Sequence, residues 1–392
     1  LSQERTVLFL SSTTHIFIDS FSIAIAIVAA EIFGRQQRYM EVGIILASFT
    51  AATAIAEPLW GLISDLRQRR GFHISLGLFS SCLLFSLFSI HSLVSFDRLL
   101  FLSSVSFLTG IFAGSYHSVA TTLLNETVKN ERRGYYQGIN NAGGSIGRML
   151  TPLLLSFLIT KVSFYAAFAP FLLLGIPISI ISFFFYPASD FKVIQLKVIK
   201  KNLFYVDRFV VLLMIISFLR TSFFLTVVNF LPSFLVGFKN FDLMKSGYFM
   251  TIVLALGIIA QPVGGKISDF SNRSFLMAFL LIFSGFTFFL FLYLPLFLGV
   301  LSLSLSFFAL LMTFPILFAI IGDEIPKENM AYLTGLVSGA GGFSAALFQL
   351  LSGAVSEVIS PFSAFLFLSF FPLLSGFASL LIKRKKIRKA NL

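Results

Sequence analysis

The chain has 392 residues, 57% of them apolar and only 12% charged, with a net charge of +12 and a mean hydropathy of +0.93. A soluble domain carries about 25% charged residues, so no water-soluble fold can cover this much apolar surface, and the composition specifies an integral membrane protein. The basic excess lies in short clusters between apolar runs, not on a basic helix with interleaved aromatics. That placement excludes a nucleic-acid partner and belongs to membrane topology. The single Cys82 excludes an intramolecular disulfide.

A span needs about 20 apolar residues at 1.5 Å rise each. The rule predicts an all-α fold of twelve transmembrane helices, at 7–32, 42–64, 73–95, 98–124, 136–160, 164–186, 208–236, 247–268, 274–294, 297–321, 332–356 and 361–382. The first holds His15 and Asp19, is too long for a signal-peptide core and lacks a small-residue cleavage site, so it reads as a retained span. The second closes on Glu57-Pro58 and the string Gly61 to Asp65, followed by Arg67, Arg69 and Arg70. The fourth carries His117, the fifth Asn141, Ser145 and Arg148, and the seventh Arg220. The longest polar interruption divides the spans six and six. Its Lys192, Lys197, Lys200 and Lys201, interleaved with Val, Ile and Leu, predict a partly amphipathic surface helix.

The organisation expected is therefore an N-terminal six-helix bundle (1–187), a cytoplasmic linker (188–206), a second six-helix bundle (207–383) and a basic tail (384–392). With both termini inside, 21 of the 29 Lys and Arg fall on the inner side, six on the outer, and Arg148 and Arg220 within spans. The bias places both termini in the cytoplasm of a plasma-membrane protein.

The two halves echo each other. Pro58, Gly61, Ile63, Ser64 and Asp65 return as Pro262, Gly265, Ile267, Ser268 and Asp269, the second copy followed by Arg273. Glu126, Lys129 and Gly143-Gly144 return as Glu324, Lys327 and Gly341-Gly342. Two halves in the same orientation are parallel repeats, and a substrate site is expected between them near the bilayer midplane.

On these residues the chain resembles the major facilitator superfamily, whose signature between helices two and three is G-x-x-x-D-R-x-G-R-R. Here it reads Gly61-Leu-Ile-Ser-Asp65-Leu66-Arg67-Gln-Arg69-Arg70, with Leu66 at the usual first Arg. A narrower likeness is to the fosmidomycin-resistance branch. It rests on His15-x-x-x-Asp19, Glu57-Pro58, Gly110 with Tyr116-His117, Asn141 to Gly147, and Arg220 with Phe230-Leu-Pro232. The branch tends to have Gln at Glu57 and Pro at Arg148, so this chain adds charge inside the membrane. The resemblance implies a transporter fold, alternating access and a monomer. It also implies a cytoplasmic latch of Gly61, Asp65, Arg69 and Arg70, with Asp65 near the start of helix eleven and Gly265, Asp269 and Arg273 as a weaker second copy.

Intramembrane charge costs about 2.5–3.5 kcal/mol at mid-span on insertion scales and faces a cavity or a partner. His15 and Asp19, four apart on one helix face, are the first proton-coupling candidates; the alternative is that Asp19 is a fixed counter-ion for Arg148. Glu57 is a further titrating candidate or a buried neutral acid. Arg148 and Arg220 are candidates for holding an anionic substrate, with His117, Asn141 and Ser145 beside them; the alternative is internal pairing to Asp19 or Glu57. No metal-spaced His/Cys cluster, phosphate loop or nucleophile–base pair is present, so no cofactor, ATP-driven step or enzymatic activity is expected. The leading expectation is a secondary transporter exporting a small organic solute by proton antiport. The second is uptake or exchange of an organic anion held by Arg148 and Arg220, and the third a non-transporting receptor or scaffold.

Overall fold

The computed structural model describes residues 3–67, 69–95, 97–128, 133–186, 207–324 and 330–382. All twelve expected spans are helices: α1 Gln3–Ile32, α2 Tyr39–Arg67, α3 Arg70–Ile90, α4 Arg98–Thr127, α5 Tyr135–Val162, α6 Phe164–Phe185, α7 Arg208–Phe238, α8 Leu243–Asp269, α9 Arg273–Tyr293, α10 Leu296–Glu324, α11 Leu333–Val358 and α12 Pro361–Ser379. The protein is a multi-pass, all-α membrane protein. The expected linker (188–206) with its amphipathic helix, the tail (384–392), and Lys129, Arg132 and Lys327 lie outside the described residues.

Apolar runs make the helices, and polar caps start several of them. Asp97, Asp207 and Asp242 accept hydrogen bonds from the backbone N–H of Leu100 (2.8 Å), Val210 (2.9 Å) and Lys245 (2.7 Å). Each cap satisfies an N–H that the first helical turn leaves unpaired. α4 is interrupted at Gly114–Tyr116, and α5, α6 and α7 contain π-helical turns. The interruption in α4 sits where α3 approaches most closely: a Cβ on Gly77 would lie 1.7 Å from Ser115 Oγ. Pro58, Pro152, Pro232, Pro262 and Pro315 lie inside helices, while Pro177 opens the last segment of α6.

α1 is the most central span, 72% of its apolar window buried, and α6 the most peripheral, at 28%. The first six spans meet the last six chiefly through α2 against α11 and α5 against α8, with α1 against α7. The α2–α11 seam is tight along its length: Gly43 lies against Gly353, Ala54 against Gly342, and Pro58 against Gly335. At the end away from Asp65, Met40 N–H donates to Glu357 (2.9 Å) and Gln37 Nε2 to the Gly237 carbonyl (3.5 Å).

Candidate functional site

A cavity of about 170 Å³ lies between the two halves, lined by α1, α2, α4, α5, α7, α8, α10 and α11. His15, Asp19, Glu57 and His117 line its first-half wall, with Asn141 and Arg148; Arg220 lines the second-half wall. The sequence marks these positions as costly charges or polar groups in apolar runs, and the fold brings them to one place.

Asp19 is the hub of the first-half wall. Its Oδ2 faces His15 Nε2 at 3.0 Å and accepts from Arg148, while Oδ1 faces His117 Nε2 at 3.5 Å. Asp19 is only 8% exposed, so a lone carboxylate there would be expensive. The fold assembles the hub through close helix approach. Gly143 and Gly147 of α5 press against the carbonyls of Ser12 and Ile16 on α1, where a Cβ would come within 2.3 and 2.0 Å. That contact carries Arg148 to Asp19. The interruption in α4 delivers the other members: Tyr116 Oη donates to the Ser11 carbonyl (2.7 Å) or to Asn140 Oδ1 (2.8 Å), and His117 points at Asp19. Of the two sequence readings for Arg148, internal pairing with Asp19 is the arrangement present.

Arg220 is different. It is 2% exposed, its guanidinium lies 4.0 Å over the Phe314 ring, and its Nη1 reaches Thr313 Oγ1 at 3.4 Å. Its Nε has no hydrogen-bond partner, and among the described residues no carboxylate lies within ion-pairing distance of it. Glu57 also lines the cavity and makes no ion pair among the described residues. Phe224 stands between the two arginines, 5.6 Å from the Arg148 guanidinium and ring-to-ring with Phe314 at 5.5 Å. On the second-half wall Arg220 is therefore a cation beside the rings of Phe224 and Phe314, with no carboxylate partner among the described residues.

Ser145 does not line the cavity. It accepts from Gln261 Nε2 (2.8 Å) in the seam between α5 and α8, so the sequence grouping of Ser145 with Arg148 places it one side too far round the helix. Sequence reasoning also missed Thr313, Phe314 and Phe224, which are ordinary apolar or hydroxyl positions until their ring contacts with the arginines are seen.

The basic end carries the repeated motif. Arg70 donates to Asp65 (2.8 Å), Ser64 (2.8 Å) and both oxygens of Glu126 (2.9 and 2.6 Å), tying α2, α3 and α4 together. Arg69 is exposed and makes no ion pair among the described residues, so Arg70 alone holds the position the sequence assigned to both. In the second copy Arg273 bridges Asp269 (3.1 Å), Asp323 and the Ala319 carbonyl (3.3 Å), tying α8, α9 and α10. Asp323 takes the place that the sequence echo gave to Glu324, one residue later. Gly61 and Gly265 are buried within α2 and α8, four residues before Asp65 and Asp269. The copies are unequal: Arg70 is 3% exposed and Arg273 15%. The loop before α11, where the resemblance puts the partner of Asp65, includes residues 325–329 outside the described set.

Residues 7–348 match the family model of the Major Facilitator Superfamily. The chain belongs to that superfamily. The match places it among membrane transporters rather than enzymes. One solved structure, the human organic anion transporter MFSD10 (TETRAN), superposes on this superfamily member with a TM-score of 0.73. The alignment covers 96% of this chain and 99% of that chain at 16% identity, a likeness of fold. No curated protein sequence matches.

Proposed function

We propose that the protein is a secondary transporter of small organic anions working by alternating access, with Arg220 as the anchor for the anionic group. The observation that carries this reading is a buried, mid-span guanidinium that faces the cavity and, among the described residues, has no carboxylate partner. An intramembrane charge without a protein partner is costly, and a transported anion supplies the missing charge in a low-dielectric site where charge-assisted hydrogen bonds are strong. Phe314 and Phe224 beside it suit an anion with an aromatic or apolar body. The human relative of the same fold is described as an organic anion transporter, which agrees with this reading. The likeness to the fosmidomycin-resistance branch supports proton-antiport efflux instead, but Arg220, without a carboxylate partner among the described residues, favours the anion. His117 and Asn141 complete the wall opposite Arg220. In this reading the halves 1–187 and 207–383 are the moving bodies, both termini are cytoplasmic, and the Asp65–Arg70–Glu126 and Asp269–Arg273–Asp323 clusters stiffen the cytoplasmic end of each half as it rocks.

The test is equilibrium binding to the purified protein with matched probes: naphthalene-2-sulfonate, benzoate and the cation benzylammonium. The expected result is binding of an anion but not of the cation, lost by 30-fold or more in Arg220→Gln, from about 2 kcal/mol for a charge-assisted contact. Preference for the cation, or anion binding untouched by Arg220→Gln, rules the reading out.

A further inference from the structure

His15 lies between two groups that both accept. Its Nδ1 is 2.9 Å from the backbone carbonyl of Asn140, which can only accept, so Nδ1 carries a hydrogen. Its Nε2 is 3.0 Å from Asp19 Oδ2, the same oxygen that takes a hydrogen bond from Arg148. With a proton on Nε2 the contact is a charge-assisted hydrogen bond. Without it two lone pairs face each other at that distance, and the ring or the carboxylate has to turn away. The arrangement is built around a bound proton.

The charged and titratable groups around this proton can be named for every element that faces it. Asp19 is on α1, Tyr116 and His117 on α4 with ring centroids 4.7 and 5.2 Å from that of His15, and Arg148 on α5. Across the cavity stand Glu57 on α2 and Arg220 on α7; the hydroxyl of Tyr186, just after α6, lies 3.2 Å from Ser11 Oγ. The cluster of His15, Asp19 and Arg148 carries a net charge of +1 with the proton and none without it.

We infer that the proton on His15 and the anion at Arg220 bind together, so that coupling has the sign of symport and not of antiport. The inference rests on the anion reading above. An anion entering the cavity is attracted to the loaded cluster and not to the empty one, and by thermodynamic reciprocity the anion raises the affinity for the proton by the same factor. Antiport needs the two ligands to exclude each other, which a cationic substrate would do beside this cluster and an anionic one does not. An inward proton gradient then drives uptake of the anion. The only covalent change is a proton transfer: an O–H bond of a hydronium ion in the cavity breaks as the Nε2–H bond forms opposite the carboxylate, a water molecule is left behind, and the reverse transfer to water releases the proton when the anion leaves.

The probe is naphthalene-2-sulfonate, which holds no proton of its own over the pH range measured. Purified protein in detergent and weak buffer is mixed with saturating probe while a pH indicator records proton uptake or release, and affinity is measured against pH. The expected result is proton uptake approaching one per bound anion on the alkaline side. Affinity there falls by about tenfold per pH unit, the limit for one coupled proton. His15→Gln, which keeps a donor for the Asn140 carbonyl, binds the probe with affinity flat in pH and takes up no proton; Arg220→Gln loses binding at every pH. If His15→Gln does not purify as a monodisperse protein, the wild-type proton count decides by itself. Proton release, or binding with no proton change, overturns the inference while leaving the anion reading intact. Failure of both naphthalene-2-sulfonate and benzoate to bind overturns the anion reading and the inference with it.

Discussion

Adding one methyl group at Gly144 should dismantle the Asp19 hub. A Cβ there would lie 2.0 Å from Asp19 Oδ2, 2.8 Å from His15 Nε2 and 2.9 Å from Asp19 Cγ. Real Cβ contacts below 3.0 Å are essentially never found, so the carboxylate oxygen has to retreat by roughly 1 Å. That oxygen holds both His15 and Arg148, and both contacts are given up. Breaking a buried ion pair costs about 3–5 kcal/mol, and replacing Gly by Ala within a helix returns about 1 kcal/mol. The net expectation for Gly144→Ala is a loss of about 2–4 kcal/mol, read by equilibrium unfolding in mixed micelles. In an Asp19→Ala background the main obstacle is absent, and the same substitution should be neutral or stabilising by up to about 1 kcal/mol. The coupling between the two changes is then about 2 kcal/mol or more, well above the few tenths expected for independent sites. Additive effects would show that Asp19 does not occupy the space beside Gly144, and the hub as described would be wrong.

Arg220→Met should raise stability while removing anion binding, because it deletes an uncompensated buried cation and keeps an apolar chain against Phe314. The gain expected from unfolding measurements is about 0.5–2.5 kcal/mol, the insertion cost of about 2.5–3.5 kcal/mol less a cation–π contact of about 1–2 kcal/mol; a loss of stability would mean Arg220 has a counter-ion. At the basic end, Arg70→Gln should cost about 3–5 kcal/mol, since it removes the buried guanidinium that joins Asp65, Ser64 and Glu126, whereas the exposed Arg69→Gln should stay within about 0.5 kcal/mol. Equal effects would contradict the assignment of the latch to Arg70. Arg273→Gln should cost less than Arg70→Gln in the same assay, because its partners Asp269 and Asp323 are 39% and 48% exposed and water can replace the arginine.

The twelve helices were legible because each is a predominantly apolar run long enough to span, and such runs have one stable backbone solution in lipid. The break in α4 was not, because it depends on Gly77 of α3 pressing against Ser115, a contact between distant parts of the chain. The site followed the same division. His15, Asp19, Glu57, His117, Arg148 and Arg220 stood out singly because a polar group in an apolar run needs a reason to be there. Which charge neutralises which was not readable, since Asp19 has Arg148 as its partner through the α1–α5 contact while Arg220 has an aromatic ring. Helix phase explains Ser145. At about 100° per residue it is turned roughly 40° from Asn141 and roughly 60° from Arg148, enough to face Gln261 of α8 instead of the cavity. Arg69 and Arg70 could not be separated from sequence because they are neighbours in one basic turn, and only the start of α3 decides which is carried inward.

Transport by reconstituted protein tests the central claim most directly. Proteoliposomes loaded with unlabelled naphthalene-2-sulfonate and diluted into the labelled anion should accumulate label by exchange through wild-type protein. The same vesicles with Arg220→Gln at equal reconstituted amount should show none above protein-free liposomes. Exchange that proceeds unchanged through Arg220→Gln, or labelled benzylammonium exchanging where the anion does not, would contradict the account.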